Sequence, residues 1–462
     1  METGKETVGT KTLLGDPTVA IPAMVAPLAV AILIQNVNSM TDIMWVSWLG
    51  GNAIGGLGLA YPLYATICGF GNGLGIGVSS AIARHVGIRD REGAMRTAGQ
   101  AIFLAILFAV ILACIFVPLA RPLMGLFGGG DAIDASLEYG MPMYSCCFFL
   151  IIGSVMSGVL RGEGAARASM IVQVAGAATN IILDPIFIYV LDMGVAGAGW
   201  ATVVAGMVSM LLGLSFYVKK DMMYVRIRPK DIIPNWKYSR DILYVGLPQS
   251  SEYAVMSLIN LPMNFIIVGV GGASAVGIYT SAWRVAYIAF VPAQAYGGAV
   301  VSVCSAEFSA KRSKMIEKAF GFAVRKSVRH SLYLAIGMII LAYPMAIVFT
   351  QADDLQYLRT EMTLLFFCLA AMLPVMSQVF VGSSFLQSIE HSGIALMSSL
   401  IRNIVMVFGY LSMAWIFRCT LSIWVIMAVI EIFGGILMAC LAWKYIKRFS
   451  AECANDPTAN LS

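Results

Sequence analysis

The sequence predicts an all-α polytopic membrane protein, with twelve transmembrane helices in two pseudo-symmetric six-helix lobes. Three observations carry this: a shortage of charge, a series of long apolar runs, and an internal repeat. Of 462 residues, 59% are hydrophobic and 12% charged. Soluble chains carry about 25% charged residues, so too few remain here to coat a soluble globule. Mean hydropathy is +0.82. Leu332 to Thr350 contains no charged residue, and Leu421 to Trp443 contains only Glu431. About 20 apolar residues suffice to cross the hydrocarbon core. The 45 glycines suit helices that pack closely in lipid.

Taken in order, the first sixteen residues are polar and include Lys5 and Lys11. The apolar run after them is too long for the core of a signal peptide, so no cleavable signal is expected. Runs bounded by charge, Gly or Pro then mark spans at 17–48, 54–83, 95–119, 136–160, 167–190 and 196–218. A second set follows at 239–268, 274–304, 328–350, 361–387, 393–416 and 421–443. The expected organisation is a 1–16 segment, a lobe over 17–218, a linker over 219–238, a second lobe over 239–445 and a tail over 446–462. The nine cysteines are scattered. Even adjacent Cys146 and Cys147 have no metal-ligand spacing, so packing roles are expected.

Charge sets the orientation. With the N-terminus in the cytoplasm, 26 of the 30 Lys and Arg residues fall on that side, including the run from Lys219 to Arg240 and the run from Lys311 to Arg329. Arg121, Arg359 and Arg418 fall outside, and Arg284 lies within a span. The positive-inside rule therefore puts both termini in the cytoplasm of a cell-membrane protein. The net charge of +5 reads as topology, and nucleic acid is not an expected partner.

The repeat is visible in short matches. Leu49-Gly-Gly-Asn-Ala-Ile-Gly-Gly56 resembles Val270-Gly-Gly-Ala-Ser-Ala-Val-Gly277, and Ser157-Gly-Val-Leu160 resembles Ser383-Ser-Phe-Leu386. Six spans per half make the repeat parallel, about an axis along the membrane normal. Such a chain reads as a two-lobed carrier.

The chemistry sits in the first half. A carboxylate inside a span is costly and points to function. Asp42 ends the polar series Gln35, Asn38, Asp42, spaced to share a helix face, and Ile43 to Trp48 still separate it from the outer surface. Asn180 and Asp184 are four apart and share another face. Pro185 follows and frees a carbonyl by interrupting the helix. Ala198 and Thr202 share a face of the sixth span. Two carboxylates with neutral oxygens, and no Lys or Arg in those spans, suit a proton or a hard monovalent cation. By the repeat, Asp184 falls near Tyr410 and Asp42 near Asn264, so the second half lacks the acids.

These residues resemble the multidrug and toxic compound extrusion (MATE) family. The matching segments are Asp42-Ile-Met-Trp-Val-Ser-Trp-Leu-Gly50, Leu160-Arg-Gly-Glu-Gly164, Asn180-Ile-Ile-Leu-Asp-Pro-Ile-Phe187 and Gly197-Ala-Gly-Trp-Ala-Thr202. Gly246-Leu-Pro248 and Arg284 resemble the branch named for DNA-damage-inducible (DinF-like) transporters. The resemblance covers nearly the whole chain. It implies two lobes that alternate access, and drug export driven by inward Na+ or H+. It implies a cation site at Asp42, Asn180, Asp184 and Thr202, with the Ala198 carbonyl. Tyr139 and Pro27 match positions associated with that site and with bending of the first helix. Acids that some members carry on the seventh and tenth helices are not matched. The interior of the tenth span has no carboxylate, and Glu252 lies earlier than the usual seventh-helix acid.

Other residues have plainer readings. Glu252 and Arg284 can line the cavity or pair with each other. Glu431 is expected at a packing interface, and Arg161, Glu163 and Arg402 near cytoplasmic helix ends, tying loops to lobes. Gly71-Asn-Gly-Leu-Gly-Ile-Gly77 lies in an apolar span with no strand before it, so it reads as helix packing and not as a phosphate loop. The 28 Met residues suit an adaptable apolar cavity. The leading expectation is a monomeric antiporter of amphipathic, often cationic compounds, with no cofactor beyond its coupling H+ or Na+. A lipid-linked saccharide flippase is the alternative, and it would favour a basic cavity. A channel fits the duplication less well. A membrane-embedded enzyme is disfavoured, because His85, His330 and His391 are the only histidines and form no catalytic motif.

Overall fold

A computed structural model describes residues 7–126, 130–218, 223–351 and 353–455. Lys5, Lys219 and Lys220, and residues 456–462 of the expected tail, lie outside the described residues. Short α1 (Val8–Leu13) precedes α2 (Pro17–Ser47), α3 (Gly51–Gly87), α4 (Arg91–Leu126), α5 (Ile133–Ser145), α6 (Cys147–Gly162), α7 (Ala166–Pro185) and α8 (Gly194–Val218). Then come α9 (Trp236–Gly272), α10 (Ser274–Ser309), α11 (Ser313–Phe349), α12 (Arg359–Ser388), α13 (Ser392–Phe417) and α14 (Thr420–Ala454). Lipid offers no hydrogen bonds to the backbone, so each span must satisfy its own. Asp16 starts α2 by accepting the Thr18 N–H at 2.8 Å, with Pro17 at the first helical position.

Two features depart from the expected spans. The fourth span is not one continuous helix: α5 and α6 meet at Cys146 with a bend of 55°, and counting them as one span brings the number of crossings to twelve. Pro142 lies just before the break. Basic residues expected in loops instead lie on helices, which run beyond their apolar stretch. Arg91 and Arg96 belong to α4, and Lys314 to Arg329 to α11. Helical spacing there lets charges compensate along the helix, as Arg96 and Glu92 do at 3.4 Å.

The repeat is written into the turns. Eight of the ten positive-φ residues among the described residues fall in matched pairs: Gly50 with Gly272, Arg89 with Lys311, Gly164 with Glu390, and Asp192 with Arg418. The first two pairs are 222 residues apart and the last two 226. Gly50 and Gly272, at φ +108° and +71°, need the freedom that only glycine has in this region.

The compact units do not coincide with the repeat halves. One unit holds Met1–Ala254 with Val301–Ala310, the other Val255–Val300 with Lys311–Ser462. In the first, the C-terminal end of α10 packs on α3 through hydroxyl pairs, Ser79 with Ser302 at 3.0 Å and Ser80 with Ser305 at 2.8 Å. All four are buried. The second is built around a large apolar core that includes Trp424, Phe366 and Phe290. There Tyr410, the counterpart of Asp184, is buried, and Asn264, the counterpart of Asp42, is half-buried.

The described part of the linker is strapped to the first unit. Gln100 on α4 donates to the carbonyls of Asp231 and Ile233 at 2.8 and 2.7 Å, and accepts from Asn235 N–H and the Ser239 hydroxyl. Glu163, between α6 and α7, accepts from the Tyr217 hydroxyl at 2.8 Å and the Val225 N–H at 3.0 Å. This is the loop-tying role expected of it. Burial pushes its carboxyl up to about 7, although the donors around it favour the ion. Released to water, it would return to its ordinary value near 4.5. The docked linker therefore holds the proton more tightly. Docking is strongest below pH 4.5 and loses at most about 3 kcal/mol as pH rises through 7. Hydrogen exchange across 223–235, corrected for intrinsic rates, should accelerate from pH 5 to pH 8. Glu163→Gln should flatten that dependence, and a flat wild-type profile would refute the linkage.

Candidate functional site

The first unit gathers polar groups from α2, α5, α7 and α8 around Asp184. Helical spacing of four puts Asn180 and Asp184 on one face of α7, and the Asn180 amide donates to Asp184 Oδ1 at 2.8 Å. Asn38 of α2 donates to Asn180 Oδ1 at 2.9 Å. One turn on, Asp42 Oδ2 accepts the Tyr139 hydroxyl of α5 at 2.9 Å. Thr202 donates to the Ala198 carbonyl within α8 at 3.1 Å. Asp184, Asn180, Thr202, Ala198 and Tyr139 are buried, and Asp42 is half-buried. After Pro185 the chain widens into a π-turn, Ile186–Val190. Such turns accommodate an interrupted ladder. Tyr189 from that turn donates its hydroxyl to the Trp45 carbonyl, closing the C-terminal end of α2 against the turn that follows α7.

Three buried oxygens in this cluster receive no hydrogen bond: Asn38 Oδ1, Asp42 Oδ1 and Asp184 Oδ2. Unsatisfied buried acceptors, two of them on carboxylates, are costly. They are the groups that a proton or a hard monovalent cation would satisfy. The donor set is all oxygen, as Na+ prefers. Among the described residues no group of three or more His, Cys, Asp or Glu is placed to hold a metal ion.

Most of the expected site residues are brought together, but not all. Gln35 is exposed, and only its backbone carbonyl is engaged, by the Ser39 hydroxyl. The polar face of α2 therefore begins at Asn38. Pro27 is buried on α2, a helix that also contains Pro22. Glu252 is half-buried in the first unit outside the cluster, and Arg284 is exposed in the second. Sequence reasoning missed Tyr64 of α3, which lies within electrostatic reach of both Asp42 and Tyr139. Its only sequence signal was a place beside Pro62 in a polar-poor span.

Arg402 is not a helix-end residue that ties a loop. It lies inside α13 and pairs with Glu431 of α14 at 2.8 Å, both side chains less than a tenth exposed. Arg284 is therefore not alone among the spans, and the second arginine is neutralised where it sits.

A family model, MatE, matches residues 27–186 and 248–411. Multidrug export protein MepA of Staphylococcus aureus is 24% identical over 327 residues, covering 70% of this chain and 69% of MepA. A structure described as an outward-facing multidrug resistance MATE family transporter of the MOP superfamily is 29% identical. It has a TM-score of 0.92 and covers 97% of this chain and 100% of its own. A MATE structure in a bent conformation is likewise 29% identical, at TM-score 0.90, over 98% and 100%. The chain belongs to the MATE family: it is a twelve-helix membrane transporter and not an enzyme.

Proposed function

We propose that this chain is a secondary active exporter of amphipathic, often cationic compounds, driven by inward H+ or Na+. It works by alternating access, as a monomer in the cell membrane with both termini cytoplasmic. It belongs to the DinF-like branch of the family, a placement supported by Gly246-Leu-Pro248 and Arg284. The observation that carries the reading is the trio of unsatisfied buried oxygens around Asp42 and Asp184. A site that takes up and releases a cation must leave oxygens unpaired in one of its states. Asp42, Asn180, Asp184, Thr202 and the Ala198 carbonyl would hold the ion. For Ala198 the Thr202 hydroxyl would turn away, since it now occupies that carbonyl. The export activity is supported by the likeness to MepA. The flippase reading would want an uncompensated basic cavity, and Arg402 is compensated by Glu431.

Proteoliposomes with separately imposed gradients test the coupling. Efflux of a cationic dye should follow a proton or a sodium gradient and cease without either. Dye movement indifferent to both gradients would reject the antiporter.

Coupling to substrate would run through α2. Pro27 and Asp42 are fifteen residues apart, about 22 Å along a straight helix, so they cannot touch. Missing its hydrogen bond, Pro27 lowers resistance to bending. Cation uptake at Asp42 would then favour one bend over another, because a ligand shifts only an equilibrium between states it binds differently. Spin labels flanking Pro27 should change separation when the coupling cation is supplied. Constant separation in actively transporting protein would remove the bending step while leaving the ion site standing.

A further inference from the structure

The start of α11 carries Lys314, Lys318, Gly321 and Arg325 at intervals of four, three and four residues, which places them on one helix face. With Glu317 and with Trp443 of α14 they line an open groove of about 330 Å3. Gly321 forms its floor, where an added methyl group would meet only the Trp443 ring, 3.8 Å away. Trp443 is held edge-on against Phe320, with centroids 5.4 Å apart. Three cations and one carboxylate give the groove a formal charge of +2 (three minus one).

The same face of α11 then changes character. Continuing at helical spacing, it presents Leu332, Ile336, Ile339 and Tyr343, each between 46% and 56% exposed. No Asp, Glu, Lys or Arg occurs from Ser331 to Phe349. A basic groove, lined by Trp443 beside Gly321, is thus followed on the same face, two turns on from Arg325, by an apolar strip. Tryptophan favours the level of the headgroups, and basic pockets between membrane helices take anionic headgroups.

We propose that this groove is a binding site for an anionic phospholipid, its headgroup phosphate held by Lys314, Lys318 and Arg325 and an acyl chain lying along Leu332, Ile336 and Ile339. The arginine can grip the phosphate through two N–H groups, and the lysines add point charge. A soluble phosphate would use the charges but not the strip, and the continuity of the two on one face favours the lipid.

The purified full-length chain in detergent, titrated with phosphatidylglycerol or phosphatidylcholine and read by native mass spectrometry, tests this. Wild type should retain phosphatidylglycerol in preference. Each basic side chain near a membrane surface contributes about 1 kcal/mol toward an anionic lipid. The triple variant Lys314→Ala, Lys318→Ala, Arg325→Ala should therefore bind it about 100-fold more weakly, with phosphatidylcholine unchanged. Glu317→Gln should tighten phosphatidylglycerol severalfold, a direction that misfolding cannot produce. Millimolar inorganic phosphate should leave the lipid in place. Equal retention of the two lipids, an unchanged triple variant, or loosening by Glu317→Gln overturns the proposal. Displacement by inorganic phosphate overturns it in favour of a soluble anion.

Discussion

Asp184→Asn should reduce gradient-driven efflux to the level of vesicles without protein, while the variant still folds and reaches the membrane. The substitution is nearly isosteric, and its amide oxygen can still accept from Asn180, as Asp184 Oδ1 does at 2.8 Å. What it removes is the charge on Oδ2, which lies buried without a donor. Asp42→Asn should do the same: its carbonyl can still take the Tyr139 hydroxyl, held now at 2.9 Å. Stability and activity should separate in both. Neutralising a buried carboxylate relieves a desolvation cost, so thermal stability should hold or rise as transport disappears. Asn180→Ala removes only a neutral ligand. It should weaken the apparent affinity for the coupling cation by about tenfold, the scale of one hydrogen bond to an ion. Near-normal gradient-driven efflux in both aspartate variants would end the assignment.

How much of this was legible beforehand depends on the distance over which each feature is encoded. The spans are local: lipid demands apolar runs and closed backbone hydrogen bonding, so composition alone exposes them. The repeat is also legible, because Gly50 and Gly272 need left-handed backbone and therefore stay glycine. The pairing of Asn180 with Asp184 follows from a spacing of four. The tie from Asn38 to Asn180 does not, since 142 residues separate them and nothing local requires it. Tyr139 came to the site by resemblance alone, since its reach to Asp42 depends on how α5 bends against α6. That bend was not legible either, because a proline such as Pro142 is tolerated in unbroken membrane helices elsewhere in this chain, Pro344 of α11 among them. Arg402 was misplaced for a related reason. Its partner is 29 residues away on the next helix, and without the partner an arginine reads as a helix end.

Breaking the pair between Arg402 and Glu431 should destabilise the second unit more than any other single polar change there. The aliphatic stem of Arg402 crosses Gly434, where an added Cβ would come within 2.7 Å of Arg402 Cδ. Gly434 is one turn from Glu431, so a single face of α14 supplies both the room and the counter-charge. Arg402 Nε and the adjacent Asn403 Nδ2 already lack acceptors, so no spare acceptor stands ready to replace the carboxylate. Arg402→Met leaves a buried carboxylate alone, and Glu431→Leu leaves a buried guanidinium alone. Each should cost about 3–5 kcal/mol, read as a fall in thermal unfolding temperature in nanodiscs. Removing both charges is different in kind. Arg402→Met with Glu431→Leu strands no charge and sheds the desolvation of two ions, so it should recover most of the loss. The coupling energy of that double-mutant cycle measures the pair itself, separated from packing changes at either position. Retained efflux in the double variant would mark the pair as structural. Additive losses, with the double variant the least stable, would show that the two side chains act through packing and that their charges do not hold α13 to α14.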